Sequence, residues 1–332
     1  MPELSTHKVE VVPITLEKHP NADTLSVVTV FGGYPCCVKS TDWVGKTLGA
    51  YIPPDAVVDV TRPEFSFLAK GTKTKHRVRC VKLRGVQSYG LLMPAPEGSQ
   101  VGDDVATYYA VEHYEPEMKS ACFGGEAEQA PTQLAMLSKY DVDSMRRYSA
   151  VFEQDEPVMI TEKIHGANSR FVYLDGRMWC GSRGEWKRQE ENNLWWKALA
   201  NTPTLGEFCR NNPGLVVYGE VYGDVQSLRY GCKKGEVCFA AFDILQPNGQ
   251  YMMAEFGREL LIEAGVPVVP LVVIRGFDFN AICELAEGPS LLPGACHIRE
   301  GVVVKPLKER WHQAVGRVQL KVVSAGYLEK GD

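Results

Sequence analysis

Although the 332-residue sequence contains 10 cysteines, it has no C-x-x-C pair. Cys36 and Cys37 are adjacent, and the others, at positions 80, 122, 180, 209, 232, 238, 283 and 296, are scattered without zinc-ribbon or thioredoxin spacing. They read as reduced small hydrophobes and not as metal ligands or a disulfide framework. No window approaches the roughly 18 apolar residues of a membrane-spanning helix. The segment from Met1 to Lys8 lacks the apolar centre of a signal peptide, so a cytoplasmic protein without membrane attachment is expected. A G-x-x-x-x-G-K-[ST] loop is also missing, so a nucleotide bound here is not held by the P-loop route. Basic charge is not in excess either: 36 Lys and Arg stand against 41 Asp and Glu, for a net charge of -5. That excludes a protein that coats nucleic acid by bulk charge, and any polynucleotide must be gripped by a local basic surface.

What is present is a chain of ordinary globular composition, 45% hydrophobic and 23% charged, long enough for two domains. From Lys8 to Tyr114 short β-rich runs are broken by Gly and Pro: Val9–Val12, Ser26–Val30, Cys37–Lys39, Val78–Leu83 and Tyr108–Val111. Strands this short and this closely spaced predict a small β-barrel or sandwich. The stretch His19-Pro20-Asn21-Ala22-Asp23-Thr24-Leu25, followed later by Lys82-Leu83-Arg84-Gly85-Val86-Gln87-Ser88-Tyr89-Gly90, resembles the OB-type modules attached to some aminoacyl-tRNA synthetases. Alternation places Arg77, Arg79 and Lys82 near one face, as candidates for phosphate contacts. The same charges also serve a solvated sheet edge that resists edge-to-edge pairing.

Residues 116–138 are polar, small and proline-containing, as expected of a linker between an OB-like domain at 1–115 and a second domain at 139–332. One helical turn is expected within Asp141–Tyr148. Beyond it, strands at Pro157–Thr161, Leu215–Tyr218 and Val237–Phe242 alternate with helices expected over Asn193–Asn201, Thr204–Asn211, Met253–Ala264 and Asn280–Glu287. The predicted class is α+β, with antiparallel sheets and helices behind the N-terminal barrel.

The chemistry concentrates in an ordered series: Thr161-Glu162-Lys163-Ile164-His165-Gly166-Ala167-Asn168, Ser182-Arg183-Gly184, Tyr218-Gly219-Glu220, Phe239-Ala240-Ala241-Phe242-Asp243, Glu300-Gly301-Val302-Val303-Val304-Lys305 and Leu320-Lys321. Each alone has an ordinary explanation: Phe239 as core, Arg183 as surface charge, Glu300 as a strand-end carboxylate. Together and in this order they resemble the motifs of covalent nucleotidyltransferases, the superfamily of RNA ligases, DNA ligases and mRNA-capping enzymes. His165 and Asn168 stand where DNA ligases and capping enzymes usually carry Asp and Arg, as in the RNA ligase branch. The order of domains, OB-like first and only 11 residues after Lys321, resembles the Naegleria and Deinococcus type of RNA ligase over essentially the full length.

The resemblance implies an ATP-dependent polynucleotide ligase with an ATP-grasp-like nucleotidyltransferase domain. Lys163 would attack the α-phosphorus of ATP to form lysyl-AMP, AMP would pass to a 5′-phosphate, and a 3′-OH would displace it. It further implies Lys305 and Lys321 as catalytic cations at the phosphates. The nucleotide pocket would contain Glu162, Ile164, Asn168, Arg183, Glu220 and Phe239, with the Phe239 ring stacked on the purine. Mg²⁺ or Mn²⁺ would be held by Glu300 through water, with His165 near the metal. The substrate would be RNA or an RNA-containing duplex, and the protein a monomer. One departure stands out: the family's final Lys-x-Lys reads Gln319-Leu320-Lys321 here. The rival readings are a DNA or RNA/DNA-hybrid nick ligase and a non-catalytic tRNA- or RNA-binding protein, the latter opposed by the intact Lys163, Glu220, Glu300 and Lys321.

Overall fold

The computed structural model describes residues 8–114 and 125–330, which fall into two compact units. The first contains residues 8–114 with Ser144–Ser149 and residues 325–330, and the second contains residues 125–143 and Ala150–Ser324.

The first unit is built from short antiparallel strands. Leu48–Ile52 is central to a sheet with Glu10–Pro13 on one side and Leu91–Pro94 on the other, and Leu25–Val30 pairs with Tyr34–Lys39. Alternation along these strands sends Ala50 and Ile52 into an apolar cluster with Val9, Val58 and Phe65, and Val12, Val28, Val30, Cys36 and Leu92 into another. Tyr108–Val111, expected as a strand, begins instead in a short helix, Ala106–Tyr109, which ends at Ala110 in the left-handed conformation (φ 51°). The β-propensity of two tyrosines is overridden by burial of Tyr109, whose ring meets Phe65 and whose hydroxyl donates to Pro94 O. The helical turn expected within Asp141–Tyr148 forms at Met145–Tyr148.

The second unit is organised around two antiparallel sheets. In the first, Pro157–Lys163 lies between Leu271–Gly276 and Gly301–Pro306, and the last of these also pairs with Leu320–Val323. In the second, Ala167–Leu174 lies between Arg177–Ser182 and Val216–Gly223, and Val237–Leu245 follows on the far side. The four expected helices are Leu194–Asn201, Pro203–Asn211, Ala254–Glu263 and Phe279–Leu285. Asn193 caps the first by accepting from the backbone N–H of Trp195 and Trp196, and Asp278 caps the last through Ala281. Leu194, Trp195, Ala198, Leu205, Phe208 and Leu261 from three of these helices join Phe171, Val217, Val221 and Phe239 in the largest core cluster. Within the stretch read as a linker, Leu134 is buried with Trp179 and Trp186, and its carbonyl accepts from Trp186 Nε1.

Candidate active site

Register sets out the site. Lys163 pairs with Gly301, Thr161 with Val303 and Met159 with Lys305, while Val303 pairs in turn with Lys321. Side chains alternate across a strand, so Thr161, Lys163, Val303, Lys305 and Lys321 share one face, and Val158, Ile160, Val302, Val304, Leu320 and Val322 are fully buried on the other. Across from that face the second sheet pairs Asn168 with Glu220 and Glu220 with Ala240. A single cavity is lined by Lys163, Asn168, Arg183, Glu220, Lys305 and Lys321. Two glycines permit the close approach. A Cβ on Gly301 would lie 2.0 Å from Val322 O, and one on Gly166 would lie 2.2 Å from Val221 O.

Because Lys163 faces Gly301, the preceding residue Glu300 reaches the amine: Lys163 Nζ donates to Glu300 Oε1 at 2.6 Å. The Nδ1 of buried His165 lies 3.6 Å from Glu300 Oε2, and the His165 backbone N–H donates to Tyr230 Oη at 2.6 Å. Burial alone would raise the Glu300 carboxyl, yet Lys163 and His165 outweigh it and hold the group at about 2. Burial pulls Lys163 down, but Glu300 and Glu220 more than offset this and keep it above its ordinary value. Glu220 is pushed up to about 8, chiefly by burial and against the pull of Lys163, so at neutral pH it is largely a protonated, neutral donor.

A second buried network underlies Lys305. Its ammonium donates to Phe242 O and to Asp243 Oδ2, both at 2.8 Å. Asp243 also accepts from Arg317 Nη1 at 2.5 Å and from Tyr140 Oη at 2.7 Å. Burial would raise Asp243, but Lys305 and Arg317 bring it to about 2. Gln319, at the position of the family's usual lysine, lies in this network and not in the cavity lining: its Oε1 accepts from Tyr140 Oη (2.7 Å) and Arg317 Nη1 (3.2 Å). Among the described residues the Lys321 ammonium has no hydrogen-bond or ion-pair partner, and burial together with Lys163 lowers its pKa.

A family model for RNA ligases matches residues 156–323, just over half of the sequence. The chain belongs to the RNA ligase family. A model for an OB-fold domain matches residues 7–95 of this ligase, so the N-terminal unit is an OB-fold domain and the whole is α+β. Three solved structures illustrate the likeness. Mutant Naegleria gruberi RNA ligases with ATP and Mn and with AMP and Mn are each 24% identical with a TM-score of 0.78. A further mutant in the apo form is 25% identical with the same TM-score. In each case 97% of this chain and 98% of the other are covered. A comparison with curated protein sequences gives no match.

Within the ligase, the remaining residues anticipated from sequence fare differently. Ile164 lines the cavity from a small apolar cluster with Tyr230 and Val269. Arg183 lines it too, exposed and 3.5 Å from Asp141. Glu162 also borders it, but its carboxylate is taken by Ser290 Oγ (2.6 Å) and Leu291 N (2.7 Å), so it anchors a loop. Phe239 is not in the cavity. It is buried in the core edge-on to Phe171, over Gly219, and the ring of this strand that lines the cavity is Phe242. Phe239 pairs with Val221, one step out of phase with Glu220 and Ala240, and so faces the core, three residues and one face away from Phe242. A bulge follows: Tyr218 pairs with Asp243 but Gly219 with Ala241, leaving Phe242 as an extra residue. Tyr140 and Asp141 also line the cavity, from a stretch the motif series does not include.

A divalent cation fits the donors present. Among the described residues, Glu300 Oε2 and Asn168 Oδ1 are buried oxygens without a hydrogen-bond partner, and hard cations take such oxygens. Glu300 would be the anionic ligand and Asn168 a neutral one, with His165 held beside them.

In the OB unit the basic candidates do not form one open face. Arg77 is engaged by Asp55 at 2.8 Å and lies over the Tyr114 ring at 3.7 Å, and Arg79 donates to Lys330 O at 3.0 Å. Lys82 is exposed on the Cys80–Leu83 strand.

Proposed function

We propose that this chain is an ATP-dependent ligase that seals 3′-OH and 5′-phosphate ends of RNA through lysyl-AMP and an AMP-capped RNA. The observation that carries the reading is the register placing Lys163 opposite Gly301, so that Lys163, bonded to the Glu300 carboxylate, meets Lys305 and Lys321 at one cavity. The Naegleria ligase has been solved with ATP and Mn, with AMP and Mn, and with PPi, and the first step proposed here consumes ATP, leaves AMP bound to Lys163 and releases pyrophosphate.

As the groups stand, Lys163 is an ammonium and no nucleophile, so it must give up a proton before its Nζ forms a bond to the α-phosphorus and pyrophosphate leaves. When bound, Mg²⁺ or Mn²⁺ at Glu300 supplies charge that offsets the α-phosphate and competes with Lys163 for the carboxylate, favouring the neutral amine. Lys305, Lys321 and Arg183 neutralise phosphoryl oxygens, and positioning with charge neutralisation supplies most of the rate. Neutral Glu220 donates to a hydroxyl of the ribose, and the Phe242 ring offers a stacking surface for the base. The OB unit holds the polynucleotide through exposed basic residues such as Lys82, and the enzyme works as a cytoplasmic monomer.

The test is intact mass after incubation with ATP and Mg²⁺ or Mn²⁺, where a gain of one AMP per chain is expected. Matched RNA, DNA and hybrid nicks then rank the substrates. Faster sealing of DNA nicks than of RNA nicks would overturn the assignment to RNA.

A further inference from the structure

No C-x-x-C spacing marks the cysteines, yet the fold brings two of them together. Cys232 and Cys238 lie in and just after the loop joining the Val216–Gly223 and Val237–Leu245 strands, with their sulfurs 3.4 Å apart. The Cys232 side chain packs where Gly223 leaves room, 3.3 Å from the place a Cβ would occupy, and Cys238 is the strand partner of Tyr222. A carboxylate oxygen of Glu236 joins them, all three donor atoms lying within 4.8 Å of one another. The loop is braced to hold them. Asp224 N donates to Glu236 O, Gly235 N to Asp224 Oδ2, and Lys233 N to Glu236 Oε2, each within 2.8 Å.

We propose that Cys232, Glu236 and Cys238 form a binding site for a thiophilic divalent cation of the zinc class, separate from the ATP cavity. Two sulfurs and one carboxylate make three protein ligands, leaving the fourth tetrahedral position to water. The sulfur separation favours a metal over a disulfide. Two thiolates on a tetrahedral zinc, each about 2.3 Å away, stand about 3.8 Å apart, so the observed pair needs to open by only a few tenths of an ångström. A disulfide at about 2.05 Å would draw the sulfurs together by more than an ångström. Binding displaces the two thiol protons to solvent.

The site also touches the chemistry indirectly. Tyr230, two residues before Cys232, is buried, and its hydroxyl accepts the backbone N–H of His165 in the nucleophile's turn. Its ring meets Tyr222, the strand partner of Cys238. A cation on the loop would hold Tyr230, and through it the turn after Lys163, in place.

The experiment measures zinc bound to the full chain, purified under reductant, by metal analysis and by Co²⁺ titration, which reports thiolate ligation through a sulfur-to-cobalt charge-transfer band. One tightly held zinc per chain and that band are expected. Both should vanish in Cys232→Ser and Cys238→Ser and persist in Cys296→Ser and in Glu300→Ala, which keeps the signal distinct from the ATP site. Glu236→Gln leaves both thiols in place and should weaken Zn²⁺ by at least about tenfold, the low end of what even outer-shell partners contribute. Zinc stoichiometry unchanged by the cysteine variants, or Glu236→Gln binding Zn²⁺ as tightly as wild type, would overturn the proposal. So would a wild-type chain lighter by two hydrogens from a Cys232–Cys238 disulfide and devoid of zinc.

Discussion

Lys163 and Glu300 are joined by a 2.6 Å hydrogen bond between charged groups, and each displaces the other's titration in the direction that preserves the pair. The Lys163 pKa is raised, so its contribution to stability is full below the ordinary amine value and is lost only as pH climbs past it. Glu300 is lowered from 4.5 to about 2, so its contribution is full above 4.5 and fades as pH falls toward 2. The pair therefore persists across the neutral range, and the enzyme must break it to react.

Lys163→Ala and Lys163→Met should form no AMP adduct by intact mass while still melting cooperatively, at a lower temperature because Glu300 loses its cation. In the wild type, adduct formation should accelerate from about pH 6 to about pH 9, because only the neutral amine attacks. Glu300→Gln removes the charge that holds the proton. Labelling of Lys163 by an amine-directed acylating reagent at neutral pH should then speed up by about tenfold for each unit its pKa falls. Unchanged labelling would show that Glu300 does not set the protonation of the nucleophile.

Glu220 makes a separate, opposite claim about pH. Its pKa rises from 4.5 to about 8 on folding, so the stability it contributes is full below 4.5 and is lost as pH rises through 8. Glu220→Gln, a neutral isostere of the protonated acid, should flatten that decline in melts taken across the window. It should also retain more adenylylation at neutral pH than Glu220→Ala, since only the former keeps a donor.

The two phenylalanines of the Val237–Leu245 strand should separate stability from binding. Phe239→Ala empties a core position and should cost about 3–5 kcal/mol of folding stability. Phe242→Ala should leave the chain folded but raise the ATP concentration needed for half-maximal adduct by an amount equivalent to about 1–3 kcal/mol of stacking. Chemical denaturation and adduct yield against ATP measure the two. A large loss of ATP affinity confined to Phe239→Ala would reverse the assignment.

Gln319→Lys restores the family's usual residue yet should not improve the enzyme. Gln319 Oε1 accepts from Arg317, and a lysine there would set a second cation against that guanidinium in a buried network. The variant should melt lower than wild type and adenylylate no faster. Faster adduct formation would mean that the network tolerates the charge.

The residues of the cavity were legible because most of them sit in short motifs with fixed order. Lys163, Asn168, Arg183, Glu220, Lys305 and Lys321 all reach one cavity. The helices were legible from apolar periodicity and from caps such as Asn193 and Asp278. What escaped depended on long-range contacts. Glu162 lines the cavity as anticipated, but its carboxylate partners, Ser290 and Leu291, lie more than a hundred residues away, and Arg77 is engaged by Asp55 and Tyr114, which its own strand does not show. Tyr140 carries no local signal, since its role comes from Asp243 and Gln319, more than a hundred residues away. The meeting of Cys232 with Cys238, six residues apart, depends instead on how the loop before the Val237–Leu245 strand turns.

The bulge at Phe242 bears on how this strand tolerates changes in length. On either side of it the ladder is already in step, Gly219 with Ala241 and Tyr218 with Asp243. Removing Phe242 alone would leave both pairings and the inward face of Ala241 and Ile244 as they are. Removing Ala241 would also keep the ladder in step, but would bring Phe242 opposite Gly219 and turn its ring to the core side. The strand can therefore shorten by one residue here without a frameshift in the sheet, and which residue is lost decides whether the cavity keeps its ring.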